Sequence, residues 1–559
     1  MNINEEYNLW LQHTADNQEL HQELVAMQNK KAQIEDAFYC ELAFGTAGLR
    51  GVMGAGTNRM NSYIVARASQ GVANYLKQKQ TQPAVVIGYD SRNNSRKFAE
   101  ITAEVFAANG IKVHIWPELM PVPTVSFATR YLKAAAGIMI TASHNPAKYN
   151  GYKVYGEDGC QITTEAANSI LAEINKLDIF KYVKKADFQT ALASKQISYI
   201  DDAVYNAFLK EVKQQSVLFG EEVQKDAAIV YTPLNGTGLR PVTQILAEAG
   251  YTNIKIVPEQ KLPDGNFPTC PYPNPELAEA LKLGIEYART NNADLLLATD
   301  PDCDRVGIAV RDEHDEYQIL TGNQVGVLLL DYICSQRSKH HQLPEAAVMI
   351  KTVVTTAMAE QIAQSYGVRT INVLTGFKYI GEQIGMLEQK GKAGNYIFGF
   401  EESCGYLSGP YVRDKDGVNA AYLICEMYSY YSTQGVSILQ KLAELYKKHG
   451  YSINLTCSYE FDGSTGLAKM QQIMNNLRQG VAELAGKKVI SVLDYAGGIN
   501  GLPEENMLQF TLEDKCSVIV RPSGTEPKLK TYIYAIGESK AQAEQIAEDL
   551  IASSKELLK

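Results

Sequence analysis

A strand–helix–strand pattern recurs three times along this chain, and it places the chain in the α/β fold class. The first instance runs from an apolar strand at 84–90, through an amphipathic helix at 95–110, to a second strand at 111–116. Further instances begin at 227–233 and 346–356. Because a helix that connects neighbouring strands leaves them parallel, we expect three consecutive α/β domains with mixed, mostly parallel sheets.

The two ends of the chain differ from this pattern. Apolar residues at helical spacing over 4–40 predict a long N-terminal helix. After about residue 450, the order strand, helix, short strands and a last helix predicts a separate α+β domain. A chain of 559 residues also exceeds what a single hydrophobic core usually supports. The predicted domains are 1–200, 201–325, 326–450 and 451–559.

Composition excludes several classes of protein. With 53 Lys and Arg against 63 Asp and Glu, the formal charge of −10 argues against a nonspecific nucleic-acid binder. The longest apolar runs, such as 134–140, are too short to span a bilayer, and the polar start MNINEEYNLW lacks the apolar core of a signal peptide. The nine cysteines are scattered, which favours free thiols. We expect a cytoplasmic protein without nucleic-acid or membrane partners.

Ser143 lies in the segment TASHNP, directly after the apolar run GIMI. This places the serine in a tight loop at the C-terminal end of a strand, where α/β proteins bind ligands, and Pro146 restricts the loop further. A serine hydroxyl is a weak nucleophile unless a base or a metal activates it. Considered alone, the segment therefore favours a turn or helix-capping serine over a nucleophile.

Three alternating carboxylates, Asp300, Asp302 and Asp304, follow the apolar run LLLAT. Carboxylates this close repel one another unless a cation lies among them, and an all-oxygen set suits Mg²⁺. An EF-hand is excluded, because Arg305 and Arg311 stand where that loop needs glycine and glutamate. A solvated acidic turn remains an alternative, although the apolar flanks disfavour it.

Two weaker segments suggest a sugar phosphate as ligand. Glu401 and Ser403, in GFEESCGY, are suited to gripping vicinal hydroxyl groups, and Lys415 and Thr375 stand in nearby segments.

The segment RPSGTEP combines one guanidinium, two hydroxyl groups and a flexible backbone, supplied by Arg521, Ser523, Gly524 and Thr525. This combination suits the binding of a phosphate monoester, and a plain turn explains the segment equally well. The glycine-rich segment FGTAGLRG carries Arg50 but matches neither a Walker A loop nor a dinucleotide-binding motif.

Five motifs in this order resemble the α-D-phosphohexomutase superfamily, which contains phosphoglucomutases and phosphomannomutases: FGTAGLRG, TASHNP, DPDCDR, GFEES and RPSGTEP. The sugar loop GFEESCGY, the spacing in YKVYGEDG and the predicted N-terminal helix are most similar to the branch of bacterial α-phosphoglucomutases and phosphopentomutases. The resemblance implies three α/β domains and a C-terminal domain around a central cleft.

The resemblance also implies roles for individual residues. Ser143 would carry the phosphoryl group, and Asp300, Asp302 and Asp304 would hold Mg²⁺ together with Ser143. Arg50 and Lys153 would flank the transferring group, while His144 would assist proton transfer or brace the loop. The residues expected to contact substrate are Thr46, Arg305, Thr375, Glu401, Ser403, Lys415, Arg521, Ser523, Gly524 and Thr525.

The activity implied is a phosphosugar mutase that interconverts α-D-glucose 1-phosphate and glucose 6-phosphate. Glucose 1,6-bisphosphate would be the intermediate and activator. Pentose or mannose phosphates are alternative substrates of the same mechanism. A metal-dependent sugar phosphatase would share the serine and the aspartates but would not need a sugar loop and a second phosphate site. A noncatalytic sugar-phosphate sensor would have no reason to keep a nucleophile beside a metal.

Overall fold

The alternation of buried strands and amphipathic helices extends over most of the chain. The computed structural model describes residues 2–45, 48–461, 463–499, 501–522 and 528–558. These residues pack into two units. The first unit comprises Met1–Leu320, Gly381–Gly394 and Gly405–Ser429, and the second comprises Thr321–Ile380, Asn395–Cys404 and Tyr430–Lys559.

The α-helices of the described residues are α1 (Ile3–His13), α2 (Gln18–Met27), α3 (Lys31–Phe38), α4 (Ser62–Lys79), α5 (Ser95–Ala108), α6 (Val122–Tyr131), α7 (Thr164–Ile174), α8 (Phe188–Ala193), α9 (Asp202–Lys213), α10 (Leu239–Glu248), α11 (Pro258–Lys261), α12 (Ala278–Thr290), α13 (Gly322–Lys339), α14 (Met358–Ser365), α15 (Phe377–Gln389), α16 (Gly417–Thr433), α17 (Ile438–His449), α18 (Gly463–Arg478) and α19 (Lys540–Leu557).

The strands are β1 (Leu49–Val52), β2 (Ala84–Tyr89), β3 (Lys112–Ile115), β4 (Ala136–Ile140), β5 (Tyr149–Gly156), β6 (Ile197–Tyr199), β7 (Ile229–Thr232), β8 (Ile254–Ile256), β9 (Leu295–Thr299), β10 (Val306–Arg311), β11 (Tyr317–Leu320), β12 (Val348–Thr352), β13 (Arg369–Val373), β14 (Tyr396–Glu401), β15 (Gly405–Leu407), β16 (Tyr451–Glu460), β17 (Glu483–Leu484), β18 (Lys487–Asp494), β19 (Leu508–Leu512), β20 (Ser517–Pro522) and β21 (Lys528–Gly537).

The first unit contains two mixed sheets. In one, the strand order is β1-β5-β4-β2-β3-β6, with β2 parallel to β3 and β4, and β5 antiparallel to β4 and β1. In the other, the order is β11-β10-β9-β7-β8, with β7 parallel to β8 and β9, and a hairpin of β9 and β10. The central strands β2, β4, β7 and β9 are almost wholly buried, because helices cover both faces of a parallel sheet. The expectation of mixed, mostly parallel sheets is confirmed.

The second unit combines a parallel and an antiparallel sheet. Strand β12 lies parallel to both β13 and β14. The C-terminal sheet has the order β16-β21-β20-β19-β18-β17 and is antiparallel at each pairing that its strands make. A small cluster that includes Val354, Leu374, Ile519 and Tyr532 joins the two sheets within this unit. The α+β character of the C-terminal region is confirmed.

The long N-terminal helix expected over 4–40 is wrong: three short helices replace it. The Asn17 side chain accepts the backbone N–H of Leu20 and starts α2. Asn29 adopts φ 71°, which ends the helical path before α3. Trp10 of α1 is fully buried and packs edge-on against Phe38 and Phe180. These contacts fix the three helices on the first sheet domain.

Among the described residues, none of the helices combines the length and the apolar character that a membrane crossing requires. All nine cysteines are free thiols, as the scattered spacing predicts.

Candidate active site

Ser143 follows β4 in a strained loop. Its φ of 51° lies in the left-handed region, which non-glycine residues adopt rarely. The backbone N–H of Ser143 donates to Thr141 Oγ1 at 2.8 Å, and its own Oγ donates to Asp300 Oδ2 at 2.8 Å. The serine is 6% exposed. A buried hydroxyl is therefore aimed at a carboxylate from a different sheet of the same unit.

Arg92 holds this loop in place, and the sequence analysis missed it. Its guanidinium donates to the carbonyl oxygens of Pro146 at 3.0 Å and Tyr149 at 3.2 Å, and also to those of Ser143 and Asn145. The pKa of Arg92 is lowered by burial, although the carboxylate of Asp90 opposes that shift. In the sequence, the only indication of this role is that two oppositely charged residues, Asp90 and Arg92, come directly after the buried strand β2.

Asp300, Asp302 and Asp304 form a compact carboxylate group at the end of β9. Each offers an oxygen atom within 4.8 Å of the others, and all three are buried. The pKa of Asp300 is raised well above its usual range, first by burial and then by the two neighbouring carboxylates.

Two oxygen atoms of this group, Oδ1 of Asp302 and Oδ1 of Asp304, are buried and have no hydrogen-bond partner among the described residues. Unpaired buried oxygens in a cluster of like charge are costly unless a cation binds there. The donor set therefore fits a divalent metal ion with a preference for oxygen ligands.

Two lysines border the carboxylates. Lys153 lies on β5, opposite Met139 of β4, and its Nζ is 2.9 Å from Asp302 Oδ2 and 3.5 Å from Asp304 Oδ2. Lys415 Nζ is 3.3 Å from Asp304 Oδ2. Burial would lower the pKa of Lys153, but the carboxylates of Asp302 and Asp304 outweigh it and raise that pKa. The ammonium group of Lys153 is therefore held in the charged form.

The sequence grouped Lys415 with the sugar-contacting residues, whereas the structure brings its ammonium group to the aspartates. Asp414, which the sequence analysis did not single out, explains this position. Asp414 Oδ2 accepts hydrogen bonds from Tyr155 Oη and Gln161 Nε2, both at 2.9 Å, and its Oδ1 is 3.4 Å from Lys415 Nζ. These bonds attach the RDKDG segment to the end of β5.

The other predicted residues of the first unit surround the serine. His144 Nδ1 is 3.2 Å from Ser143 Oγ, and burial, reinforced by Arg305 and Arg50, lowers the pKa of His144 well below its usual value. Arg50 donates to Asn145 Oδ1 at 3.3 Å. Arg305 forms an ion pair with Glu276, and its Nε is 3.8 Å from Asp304 Oδ1. Because its pKa is lowered, the imidazole of His144 is neutral near pH 7.

The second unit contains the remaining predicted residues that the structure describes. Ser403 Oγ donates to Glu401 Oε1 at 3.0 Å, and Glu401 is buried at the end of β14. Thr375 Oγ1 is buried without a hydrogen-bond partner in the described part of the chain. Arg521 Nε donates to Glu505 Oε1 at 2.9 Å. Four further predicted residues lie outside the described residues: Thr46, Ser523, Gly524 and Thr525.

Comparison with known proteins gives the family. Models for the alpha/beta/alpha domains I, II and III and the C-terminal domain of phosphoglucomutase/phosphomannomutase match residues 41–180, 206–313, 321–449 and 462–553. The chain belongs to the phosphoglucomutase/phosphomannomutase family. The three N-terminal helices precede the first matched segment.

Curated relatives of this family cover almost the whole chain. A phosphoglucomutase of Staphylococcus haemolyticus is 36% identical over 89% of this chain and 91% of its own length. A phosphoglucomutase of Staphylococcus epidermidis is 37% identical over 88% of this chain and 90% of its own length. The recognition of the superfamily from five motifs is thereby confirmed.

Solved structures agree with the fold. The open form of parafusin from Paramecium, a phosphoglucomutase by its title, superposes with a TM-score of 0.70 at 18% identity, covering 93% of this chain and 95% of its own. A phosphoglucomutase/phosphomannomutase family protein of Burkholderia thailandensis gives 0.68 at 18% identity, covering 92% and 97%. At these identities the likeness supports the family fold.

Proposed function

We propose that this chain is a phosphosugar mutase that interconverts α-D-glucose 1-phosphate and glucose 6-phosphate through a phosphorylated Ser143. The observation that carries the proposal is the strained, buried Ser143, whose Oγ lies 2.8 Å from one of three clustered carboxylates. The phosphoglucomutase names of the curated relatives support glucose phosphates as substrates.

In this proposal, Asp300, Asp302 and Asp304, together with an oxygen on Ser143, hold one Mg²⁺ ion. Bound there, the ion would neutralise part of the negative charge on the phosphoryl group, which is the largest barrier to reaction between anions. The two unpaired carboxylate oxygens of Asp302 and Asp304 support this assignment.

The reaction consists of two phosphoryl transfers. In the first, a free hydroxyl oxygen of the sugar phosphate attacks the phosphorus atom on Ser143, the bond from phosphorus to Oγ breaks with its electron pair on Oγ, and the proton of the attacking hydroxyl group ends on Oγ. Glucose 1,6-bisphosphate is the product of that step. In the second, Ser143 Oγ attacks the other phosphate of the bisphosphate, and the new sugar monophosphate leaves. Positioning and charge neutralisation supply most of the acceleration.

The chain supplies cations and a proton acceptor for these steps. Lys153 and Arg50 flank the transferring group and stabilise its charge, and Lys415 adds a further cation at Asp304 Oδ2. Because its pKa is raised, Lys153 keeps its proton and acts as a cation rather than as a base. His144 is neutral and lies 3.2 Å from Ser143 Oγ, so it can accept or return a proton there.

Other residues bind the substrate in this proposal. Glu401, Ser403 and Thr375 bind sugar hydroxyl groups. Arg521, Ser523 and Thr525 bind the phosphate that does not react, and Gly524, Thr46 and Arg305 are further substrate-binding residues. The buried Thr375 Oγ1 and the Ser403–Glu401 hydrogen bond support polar recognition at that segment.

The first experiment tests the phosphoserine. The wild-type chain should take up one labelled phosphoryl group from glucose 1,6-bisphosphate, and Ser143→Ala should take up none. Ser169→Ala, which changes a helix-surface serine, is the matched control and should behave as wild type. Mutase turnover that survives Ser143→Ala would refute the assignment. Release of free phosphate as the main product, with little isomerisation, would favour the metal-dependent phosphatase instead.

The second experiment tests the sugar. Comparing kcat/KM for glucose 1-phosphate, mannose 1-phosphate and ribose 1-phosphate ranks the three substrate classes directly, because that ratio measures discrimination between competing substrates. The proposal predicts the highest value for glucose 1-phosphate. A higher value for ribose 1-phosphate or mannose 1-phosphate would replace the substrate while leaving the mechanism intact.

The domain boundaries and the cellular location also belong to this proposal. Four domains at 1–200, 201–325, 326–450 and 451–559 agree in order with the four matched family segments. A cytoplasmic location agrees with the nine free thiols, seven of which are buried.

A further inference from the structure

A cavity of about 680 Å³ lies in the first unit, at a place that the proposed reaction does not use. Its lining comes from the loop after β2, the start of α5, residues 117–120 and the start of α10. Neither Ser143 nor any of the three clustered aspartates lines it. The volume is in the range of sites that bind small organic molecules.

Cationic side chains outnumber carboxylates in the lining of this cavity. Four cationic side chains and two carboxylates line it: Arg92, Arg96, Lys97 and Arg240, with Asp90 and Glu118. Arg92 and Asp90 form an ion pair at 3.4 Å and offset each other. Within the lining, the three remaining cations outnumber the single remaining carboxylate, and carboxylates outside the lining, Glu100, Glu19 and Asp202, also pair with them.

The three outer cations can turn toward a ligand. Arg96, Lys97 and Arg240 are 68%, 47% and 43% exposed, and each pairs with an exposed carboxylate of the chain. Exposed ion pairs of this kind are weak and are easily exchanged for a better-placed anion. A phosphate group, which accepts several charge-assisted hydrogen bonds at once, is such an anion.

The rest of the lining indicates which chemical group carries the phosphate of the ligand. Ser91 Oγ is buried and has no hydrogen-bond partner within the described ranges, so a ligand oxygen can satisfy it. The remaining wall is mainly apolar and includes Pro117, Leu119, Leu239 and Pro263. An apolar wall excludes a fully hydroxylated sugar as the preferred body, because its hydroxyl groups would lose their hydrogen bonds to water.

We propose that this cavity binds a nucleoside monophosphate, with the flat base against the apolar wall and the phosphate at the cations, at a site separate from Ser143. The binding itself does not depend on the proposed mutase reaction.

The occupant acts on the serine loop through Arg92. One side of this residue lines the cavity, and its guanidinium donates to the carbonyl oxygens of Ser143 and Pro146. A ligand that binds more tightly to one conformation of the Arg92 loop than to another shifts the equilibrium between those conformations by the ratio of the two affinities. The conformation of Ser143 shifts with it, because Arg92 donates to the serine loop. A ligand bound in the cavity would regulate the reaction at Ser143 in this way.

The test is calorimetric titration of the full-length chain with adenosine 5′-monophosphate as the probe. Inorganic phosphate and adenosine, titrated separately, isolate the anionic and the apolar contributions. We expect saturable binding of the nucleotide that is tighter than binding of either part. The double variant Arg96→Ala/Arg240→Ala should weaken binding by about tenfold or more, because two charge-assisted contacts are lost.

Two controls separate this site from others. Arg289→Ala removes a surface arginine whose ion pair with Glu316 has exposure similar to that of Arg240 with Glu118, and binding should be unchanged. Arg521→Ala changes the proposed phosphate site of the second unit and should also leave nucleotide binding unchanged. Thermal unfolding of each variant shows that it is folded.

Three results would overturn the site: no saturable binding of the nucleotide, binding that is unaffected by Arg96→Ala/Arg240→Ala, or binding that is lost in Arg521→Ala. Initial rates with glucose 1-phosphate test the regulatory link. The nucleotide should change them in wild type and not in the double variant. Binding without any change in rate would overturn the link through Arg92 and leave the site itself standing.

Discussion

Replacing Arg92 with methionine removes a buried cation and keeps much of the side-chain volume. Arg92 is 3% exposed, forms an ion pair with Asp90 at 3.4 Å, and donates to four backbone carbonyl oxygens of the serine loop. Removing one partner of a buried pair costs about 3–5 kcal/mol, because the other charge is left uncompensated. We expect Arg92→Met to lower the free energy of unfolding of the first unit by about that amount.

The loss of stability in Arg92→Met should increase with pH. Burial already raises the pKa of Asp90, and loss of Arg92 raises it further. A carboxyl group whose pKa is higher in the folded than in the unfolded state destabilises the fold once pH rises above the unfolded value of about 3.9. The difference between wild type and Arg92→Met should therefore be larger at pH 7 than at pH 5. Adding Asp90→Asn should recover part of the loss.

The assay combines unfolding with the reactivity of Ser143. Denaturant unfolding gives the loss of stability, and the rate of Ser143 phosphorylation by glucose 1,6-bisphosphate reports the loop geometry. Arg67→Met is the matched control, because Arg67 pairs with Glu41 and donates to the Ile174 carbonyl without contact to the serine loop. That control should lose some stability and keep its phosphorylation rate. The reasoning fails if Arg92→Met is within about 1 kcal/mol of wild type, or if it phosphorylates at the wild-type rate.

Three further outcomes are expected. Asp302→Asn removes a ligand charge at the carboxylate group, so turnover should fall by orders of magnitude, and an unchanged rate at limiting Mg²⁺ would remove the metal assignment. A thiol reagent should label Cys40 and Cys457 in the native chain within minutes, since the other seven thiols are buried; fast labelling of all nine would contradict the packing. Trp10→Ala should lower the free energy of unfolding by about 3–5 kcal/mol, measured by denaturant titration, because Trp10 is fully buried; a loss under 1 kcal/mol would mean that the N-terminal helices contribute little.

The fold class could be predicted because its causes are local. The buried run AVVIGY, the amphipathic helix after it and the following strand depend on the nearest residues, so their order is readable along the chain. The sequence predicts a single N-terminal helix, because apolar residues keep a helical spacing through the whole segment. The break at Asn17 comes from a side-chain cap, which that spacing does not reveal.

The kinds of ligand group at the site were also determined by the sequence. Three alternating carboxylates after an apolar strand favour a bound cation over a solvated acidic turn, because like charges at that spacing repel one another. A loop serine at a strand end shows only where its side chain lies in the fold. The residues that contact it do not follow from the sequence.

Only the tertiary structure decided those partners. The parallel strands β2 and β4 bring Arg92 to the Ser143 loop, and the packing of the two sheets in the first unit brings Asp300 to Ser143 across 157 residues of sequence. Lys415 reaches Asp304 because Asp414 is hydrogen-bonded to Tyr155 and Gln161. Contacts between residues far apart depend on strand order and helix packing, which residue spacing does not encode.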